Sequence, residues 1–235
     1  MAIDTPTRDY QAQAKAWAKI RALCEGVDGA RQFVTPLPST NATEYAEFAK
    51  RAYYMPALPR TVEMFSGLIF LRAPLIKAPD ALKPYLDDVD LAGTSFDNIA
   101  AQVVSEVLRT NRVAVHVDHP PAPDGLSRLD AERRGLRAYA RTYNTESIIG
   151  AEYSYVGGAR KLWRVRLAET HIETDAEFNQ AEVKRVRVLE LREGVYTQTV
   201  WAQMPGGKWE VVEPTITPQR NGRPLDYLPI FFFSD

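Results

Sequence analysis

Apolar residues change their spacing once along this chain, and that change limits what it can fold into. Up to about residue 111 they recur at three- and four-residue steps; from Val113 they recur at every second position. The first spacing lines up one face of a helix and the second lines one face of a strand. The expectation is an α+β protein, with N-terminal helices packed on a C-terminal antiparallel β-meander. Residues 1–111 form the helical part and 112–235 the β-rich part of one compact unit. A chain of 235 residues can bury such a core.

In the first part, "DYQAQAKAWAKIRALCEG" is rich in strong helix formers. It places Tyr10, Ala14, Trp17 and Cys24 on one face before Gly26 stops it. The "TPLPST" connector precedes a helix opened by Thr43 and Glu44 and running to Tyr54. Pro56 and Pro59 interrupt it, since an interior proline loses a hydrogen bond and clashes with the preceding turn. From about Arg60 to Phe70 a further helix carries most of "MFSGLIFLRAPLI", the greasiest run in the chain. A membrane span needs roughly 20 apolar residues, so this shorter run, with Arg72 inside it and Pro74 ending it, is expected to be a buried helix. Gly67 would then mark a close backbone approach. In "GTSFDNIAAQVVSEVLRTNR", Thr94 is the expected cap. Phe96, Ile99, Ala100, Val103, Val104, Val107 and Leu108 form the core-facing stripe.

In the second part, "VAVHVDHPP" and "AYARTY" are strand runs separated by "LSRLDAERRGLR", a short basic helix or loop. "KLWRVRLAE", "VKRVRVLELRE", "VYTQTVWAQ" and "KWEVVE" follow, divided by the turn signals "VGGAR", "EGV" and "MPGGK". Trp163, Val165 and Leu167 share one strand face and Arg164 and Arg166 the other, as a sheet with one wet face requires.

Composition excludes several function classes. The charge balance of −1 gives no global positive field to hold nucleic acid. One cysteine, Cys24, rules out an intrachain disulfide and any cysteine-based metal site, and fits synthesis in a reducing compartment. The N-terminus lacks a basic region followed by an apolar one, so no secretory signal is expected. No "GxSxG" elbow or phosphate-binding loop occurs, and the "GG" pairs suit tight turns. His116 and Asp118 share a strand face with His119 beyond, a candidate metal set whose bland alternative is a strand end holding a turn. Basic rows at Arg133, Arg134, Arg137 and Arg141, at Arg160, Lys161, Arg164 and Arg166, and at Lys184, Arg185 and Arg187 are interleaved with Glu132, Glu169, Glu182 and Glu190. Cross-strand ion pairing explains that mixture more simply than DNA contact.

Taken together, the first helix, the "YAEFAKRAYYMPALPRTVEMFSGLIFLRAP" segment and "DLAGTSFDNIAAQVVSEVLRTNRVAVHVDHP" resemble the N-terminal wing of a tailed-bacteriophage portal protein family. Arg60, Thr61, Ser66, Gly67, Leu68, Ile69, Phe70 and Pro74 fit that family's apolar segment. Asp118 and Pro120 fit its strand and turn, with His119 where an aromatic is usual. The tail "NGRPLDYLPIFFFSD" is similar to the strand that closes the wing. The resemblance implies a non-enzymatic structural subunit without cofactor or metal. Portal proteins of that family are longer, so the chain would be a fragment or a naturally shortened relative, and the full-length protein would join a homo-oligomeric ring, typically a dodecamer, at the head-tail connector vertex of the virion capsid. Double-stranded DNA would pass through that ring during packaging and ejection, with capsid, terminase and tail adaptor proteins as partners and no membrane. It also implies a chain limited to the wing, with stem, clip and crown absent, and a monomer or weak oligomer for these residues alone. Trp17, Phe65, Gly67, Leu68, Ile69, Phe70, Pro74, Phe96, Ile99, Val103 and Val107 are the expected packing residues. The alternatives are another virion or adaptor interaction module, or a metal-dependent enzyme using His116, Asp118 and His119.

Overall fold

Helices fill the first half of the computed structural model and antiparallel strands the second, so the chain is α+β. The structure describes residues 2–120, 125, 127–174 and 176–234. Pro121 of the expected proline turn and the side chain of Glu132 lie outside that description. The chain divides into two compact units. Residues 13–113 with 233–235 form a helical unit, and residues 1–12 with 114–232 a β unit.

In the helical unit, α1 (Arg8–Cys24) is followed by a short α2 (Val27–Arg31), α3 (Ala42–Arg51), α4 (Ala57–Ile69), α5 (Lys83–Asp87) and α6 (Phe96–Thr110). Gly26, at φ 96, separates α1 from α2, a conformation that a side chain would resist. Asn41 opens α3 with a reciprocal capping box: its side chain accepts from the Glu44 amide, and Glu44 accepts from the Asn41 amide.

Ser95, not Thr94, caps α6, accepting from the Asn98 amide. Thr94 instead lends its own amide to Asp90 Oδ1. At its far end Asn111, at φ 55, turns the chain out of the helix.

Pro59 does not stop α4. It stands in the first turn, where amide groups have no intrahelical acceptor, so the missing N–H costs nothing. Packing of α4 against α6 buries Val62, which is 3% exposed. Trp17 is buried as expected, as are Ile99 and Val103, with Val107 half-buried.

Three expectations fail here. The buried stripe of α6 continues through Glu106 and Thr110, leaving Phe96 and Leu108 exposed. Glu106 is admitted because the Arg21 guanidinium grips its carboxylate from α1, one of the two bonds being 2.9 Å, and Thr110 adds a third. Secondly, Phe65, Leu68, Ile69 and Pro74 are exposed and Phe70 is half-buried, so the greasiest run is not a core helix. Thirdly, a Cβ on Gly67 would meet nothing, so Gly67 marks no close approach. That role belongs to Gly29 in α2, where a Cβ would overlap the backbone carbonyl of Ala22.

In the β unit, β1 (Val113–Asp118), α7 (Arg128–Arg133), β2 (Tyr139–Asn144), β3 (Ile148–Val156), β4 (Ala159–Thr174), β5 (Gln180–Arg192), β6 (Val195–Gln203) and β7 (Trp209–Ile216) follow in order. Two short strands, β8 (Gln219–Arg220) and β9 (Arg223–Pro224), make a hairpin before β10 (Ile230–Phe233). Strands β3 to β7 form a five-stranded antiparallel meander, and β10, β1 and β2 a three-stranded sheet. Glycine turns join the meander where expected, with Gly157, Gly158 and Gly194 all at positive φ.

The two sheets share one core. Ala114, Tyr143 and Ile230 from the smaller meet Val165, Leu167, Leu189 and Tyr196 from the meander. Trp163 does not join Val165 and Leu167. The β3–β4 register passes from Arg164 to Leu162 against consecutive β3 residues, so Trp163 is the extra residue of a bulge. Leu162 takes its place against the core, while the Arg164 guanidinium lies 4.3 Å from the Trp163 ring.

The opposite face is not wet throughout. Ile149, Val186 and Val188 are covered by Ile3, Tyr10, Trp201 and Trp209. The N-terminal segment is tied there: Arg166 donates to the carbonyls of Ile3 and Thr5 at 2.9 and 2.7 Å, and Tyr10 donates to the Glu146 carbonyl. These bonds explain why residues 1–12 belong to the β unit.

Substitution of the two helical glycines should separate their roles. We expect Gly67→Ala to raise stability by up to about 1 kcal/mol through helix propensity, and Gly29→Ala to lower it by more than that. Urea titrations followed by far-UV circular dichroism measure both; a destabilised Gly67→Ala would restore the close-packing expectation.

Candidate functional site

Alternation along β1 carries His116 and Asp118 to the same side, as expected, and that side faces the meander. His116 is 1% exposed. Its Nε2 lies 3.2 Å from the Tyr196 hydroxyl, which donates to Gln198 Oε1 at 2.7 Å. Gln198 in turn donates to Asp118 Oδ2 at 3.2 Å, and Tyr139 reaches the same oxygen at 3.4 Å. A tyrosine hydroxyl has one proton, and here it is directed at Gln198. Nε2 of His116 therefore carries the hydrogen and donates to the Tyr196 oxygen, which fixes the imidazole tautomer.

Beside this chain of bonds stands a second group. Arg187 donates to both Glu169 oxygens, from Nε at 2.8 Å and Nη2 at 3.3 Å. Tyr143 donates to Glu169 at 2.6 Å, and Arg141 Nη1 lies 3.7 Å from it. Arg187 Nη1 is 3.7 Å from Asp118, linking the two groups. The site thus has two arginines, two carboxylates, three tyrosines, a glutamine and a histidine drawn from five strands.

The electrostatics follow from this geometry. Burial pushes the His116 imidazole down to about 4. Asp118 and Glu169 oppose that shift, and Arg187 and Arg141 reinforce it. Burial pushes the Tyr143 and Tyr196 hydroxyls far up, with Glu169 adding to the first and Asp118 to the second, so both stay protonated. At Glu169 burial acts to raise the carboxyl, but the bonds and charge of Arg187 and the Tyr143 bond outweigh it and hold it below the usual value. Arg187 is raised further still: burial opposes it, and Glu169 prevails.

The candidate metal residues are otherwise engaged in this arrangement. Nε2 of His116 is committed to Tyr196, and Asp118 accepts from Gln198 and Tyr139. His119 is exposed, its Nδ1 2.7 Å from the Pro120 carbonyl. Among the described residues, no three His, Cys, Asp or Glu side chains lie together as a metal would require. Chemically the site is a clasp between two sheets.

Part of the basic rows is spoken for as well. Glu152, Arg164 and Glu190 face one another across β3, β4 and β5, and Arg185 approaches Glu173 and Glu213. Cross-strand ion pairing therefore accounts for Arg164, Arg166, Arg185 and Arg187, while Arg133 and Arg134 are exposed.

Sequence reasoning missed Tyr139, Tyr143, Tyr196 and Gln198, and named Glu169 and Arg187 only as members of a cross-strand charge mixture. Parity held a usable signal: Glu169 follows Val165 and Leu167 on the apolar side of β4, and Arg187 precedes Leu189 on that of β5. Charged residues at core positions on neighbouring strands point to a buried pair.

The helical unit offers an exposed apolar surface. Met64, Phe65, Leu68 and Ile69 on α4, with Leu71 and Leu75 just beyond, all stand exposed, Leu68 at 58%. Among the described residues no helix is long and apolar enough to cross a membrane. The chain matches no protein-family model and no curated protein.

Two measurements probe the clasp. His116 has a folded pKa below its unfolded one, so its share of stability is present above about pH 6.5 and lost as pH falls toward about 4. We expect the wild type to lose roughly 2 kcal/mol from this group between pH 7 and pH 5, a loss absent in His116→Gln, as read by urea titration at each pH. The lowered Glu169 carboxyl acts in a separate window, its share being lost only at pH values below its unfolded value of 4.5. Glu169→Ala should cost about 3–5 kcal/mol by leaving Arg187 buried without its partner; a loss under about 1 kcal/mol would show the pair to be incidental.

Proposed function

We propose that this chain is a structural, non-enzymatic subunit of a phage portal ring, contributing wing residues to a conduit for double-stranded DNA. The observation that carries the reading is the exposed apolar run around α4, from Met64 to Leu75. A helix with four large apolar side chains in water is under-buried in the single chain. A protein that works inside an assembly has a use for such a surface, because subunit contacts there remove it from water. Leu68 and Ile69 of this surface are among the residues on which the sequence resemblance to portal proteins rests.

Two further features support it. The inter-sheet clasp holds no free nucleophile or open coordination site, which suits a building block better than a catalyst. The near-neutral charge suits a ring that lets DNA slide, since a basic ring would bind phosphates tightly. In this reading the partners are further copies of the chain, with capsid, terminase and tail adaptor proteins, and the location is the portal vertex of the virion.

Mass measurement and electron microscopy of this chain, joined to stem, clip and crown where a longer form of it exists, test the proposal. Closed rings are expected; a protein that stays monomeric at every concentration overturns it. Leu68→Asp with Phe65→Asp separates the α4 surface from the fold. Because both side chains are exposed, each change should shift stability by no more than about 0.5 kcal/mol while ring formation falls. Rings of unchanged yield would remove α4 from the interface.

A further inference from the structure

The β4–β5 hairpin outruns the sheet that holds it. On one side the β3 ladder stops at Leu167, and on the other the β6 ladder stops at Arg185. Beyond those points, from His171 to Val183, the two strands pair only with each other in the sheet. A two-stranded ribbon alone is marginal in water, so this arm gains from a partner.

The arm has a marked chemistry. Between His171 and Val183 the sequence has four acids, Glu173, Asp175, Glu177 and Glu182, and no lysine or arginine. Arg185 at the base reaches Glu173 at 3.6 Å and offsets only part of that charge. Near the tip Phe178 is 87% exposed and adopts φ 65, a left-handed backbone that a bulky residue rarely takes. Ile172 is exposed beside it.

The opposite end of the same strand is its complement. From Tyr153 to Lys161 the β3–β4 hairpin has Arg160 and Lys161 and no acid. Tyr155 is 78% exposed, and the Arg160 guanidinium is stacked 3.9 Å from the Tyr153 ring. Such a surface presents a cation and aromatic faces already fixed in place.

Both ends lie on β4, and at 3.2–3.4 Å per residue the run from Arg160 to Glu173 measures roughly 40 Å. One chain cannot bring its own two ends together. We propose that the acidic β4–β5 arm of one copy docks on the basic, aromatic β3–β4 end of a second copy, so that the chains associate head to tail. Glu182 meets Arg160 and Phe178 covers the exposed Tyr155 ring on one face, while Glu173 and Lys161, on the opposite faces of their hairpins, add attraction at longer range. Two different surfaces on each copy make the contact heterologous, which gives a ring if the rotation closes and a filament if it does not. The contact is small and charged, so it is weak and strengthens as salt is lowered. It extends the ring reading but does not depend on α4.

Charge reversal in solution tests it with the whole chain. One variant carries Arg160→Glu and Lys161→Glu, the other Glu173→Lys and Glu182→Lys, each verified as folded by its melting curve. Sedimentation velocity of the wild type should show reversible association at low salt, about 20 mM, that fades near 300 mM as screening shortens the reach of the charges. Each variant alone should associate at least about tenfold more weakly, and an equimolar mixture of the two should recover association, because the reversed ends complement each other. A wild type that stays monomeric at low salt, or reversed variants that associate like it, would overturn the docking. Rings that tolerate both reversals would overturn it too, while leaving the ring itself standing.

Discussion

Arg187 and Glu169 are opposite charges on neighbouring strands of an apolar sheet face, and much of the β unit is arranged around them. Taking either from water alone costs several kcal/mol, which only close and well-directed partners offset. Both Glu169 oxygens are engaged by Arg187, and Tyr143 supplies a further bond from the smaller sheet. Arg187 turns a remaining nitrogen toward Asp118, which takes bonds from Gln198 and Tyr139. His116 and Tyr196 complete the chain, so the polar requirement of one pair ties β1 and β2 to β4, β5 and β6.

This arrangement gives the contact between sheets a register that hydrophobic packing alone would leave loose. Val165, Leu167, Leu189 and Ile230 fill space without strong directional preference, whereas the tyrosine, glutamine and carboxylate bonds are satisfied in only one alignment. The helical unit uses the same device once. Arg21 holds Glu106 within the stripe of α6 and so fixes α1 against α6. Outside these points its surface stays apolar around α4, and that contrast motivates the assembly reading.

Much of the architecture was legible in the sequence because it depends on local rules. The switch of period near Val113 matches the boundary between the units to within a residue or two. The glycine turns and the long strands fall where composition and alternation placed them, and α7 lies within the stretch expected to be a short helix or loop. Short elements escaped notice. α2 and α5 have five residues each, too few to show a period, and β3 begins at "SIIGAEYSY" without a turn signal before it. The caps were misjudged by a residue because Thr94 and Ser95 are chemically equivalent candidates, and only backbone geometry selects Ser95. The site was half visible: the pattern of β1 put His116 and Asp118 on one side, but their partners lie 80 residues away on β6.

By itself, then, the sequence determined the fold class, the strand alternation and the turns, since these follow from spacing and from backbone preferences within a few residues. Tertiary structure decided which apolar residues are inside. Val62 and Leu68 are both apolar and occur on one helix, yet α6 covers the first while the second stands exposed among the described residues. It also decided that Trp163 yields its place to Leu162, and that an arginine and a glutamate sit among leucines. Those outcomes depend on what a distant strand presents at a given position, and spacing along one segment carries no information about that.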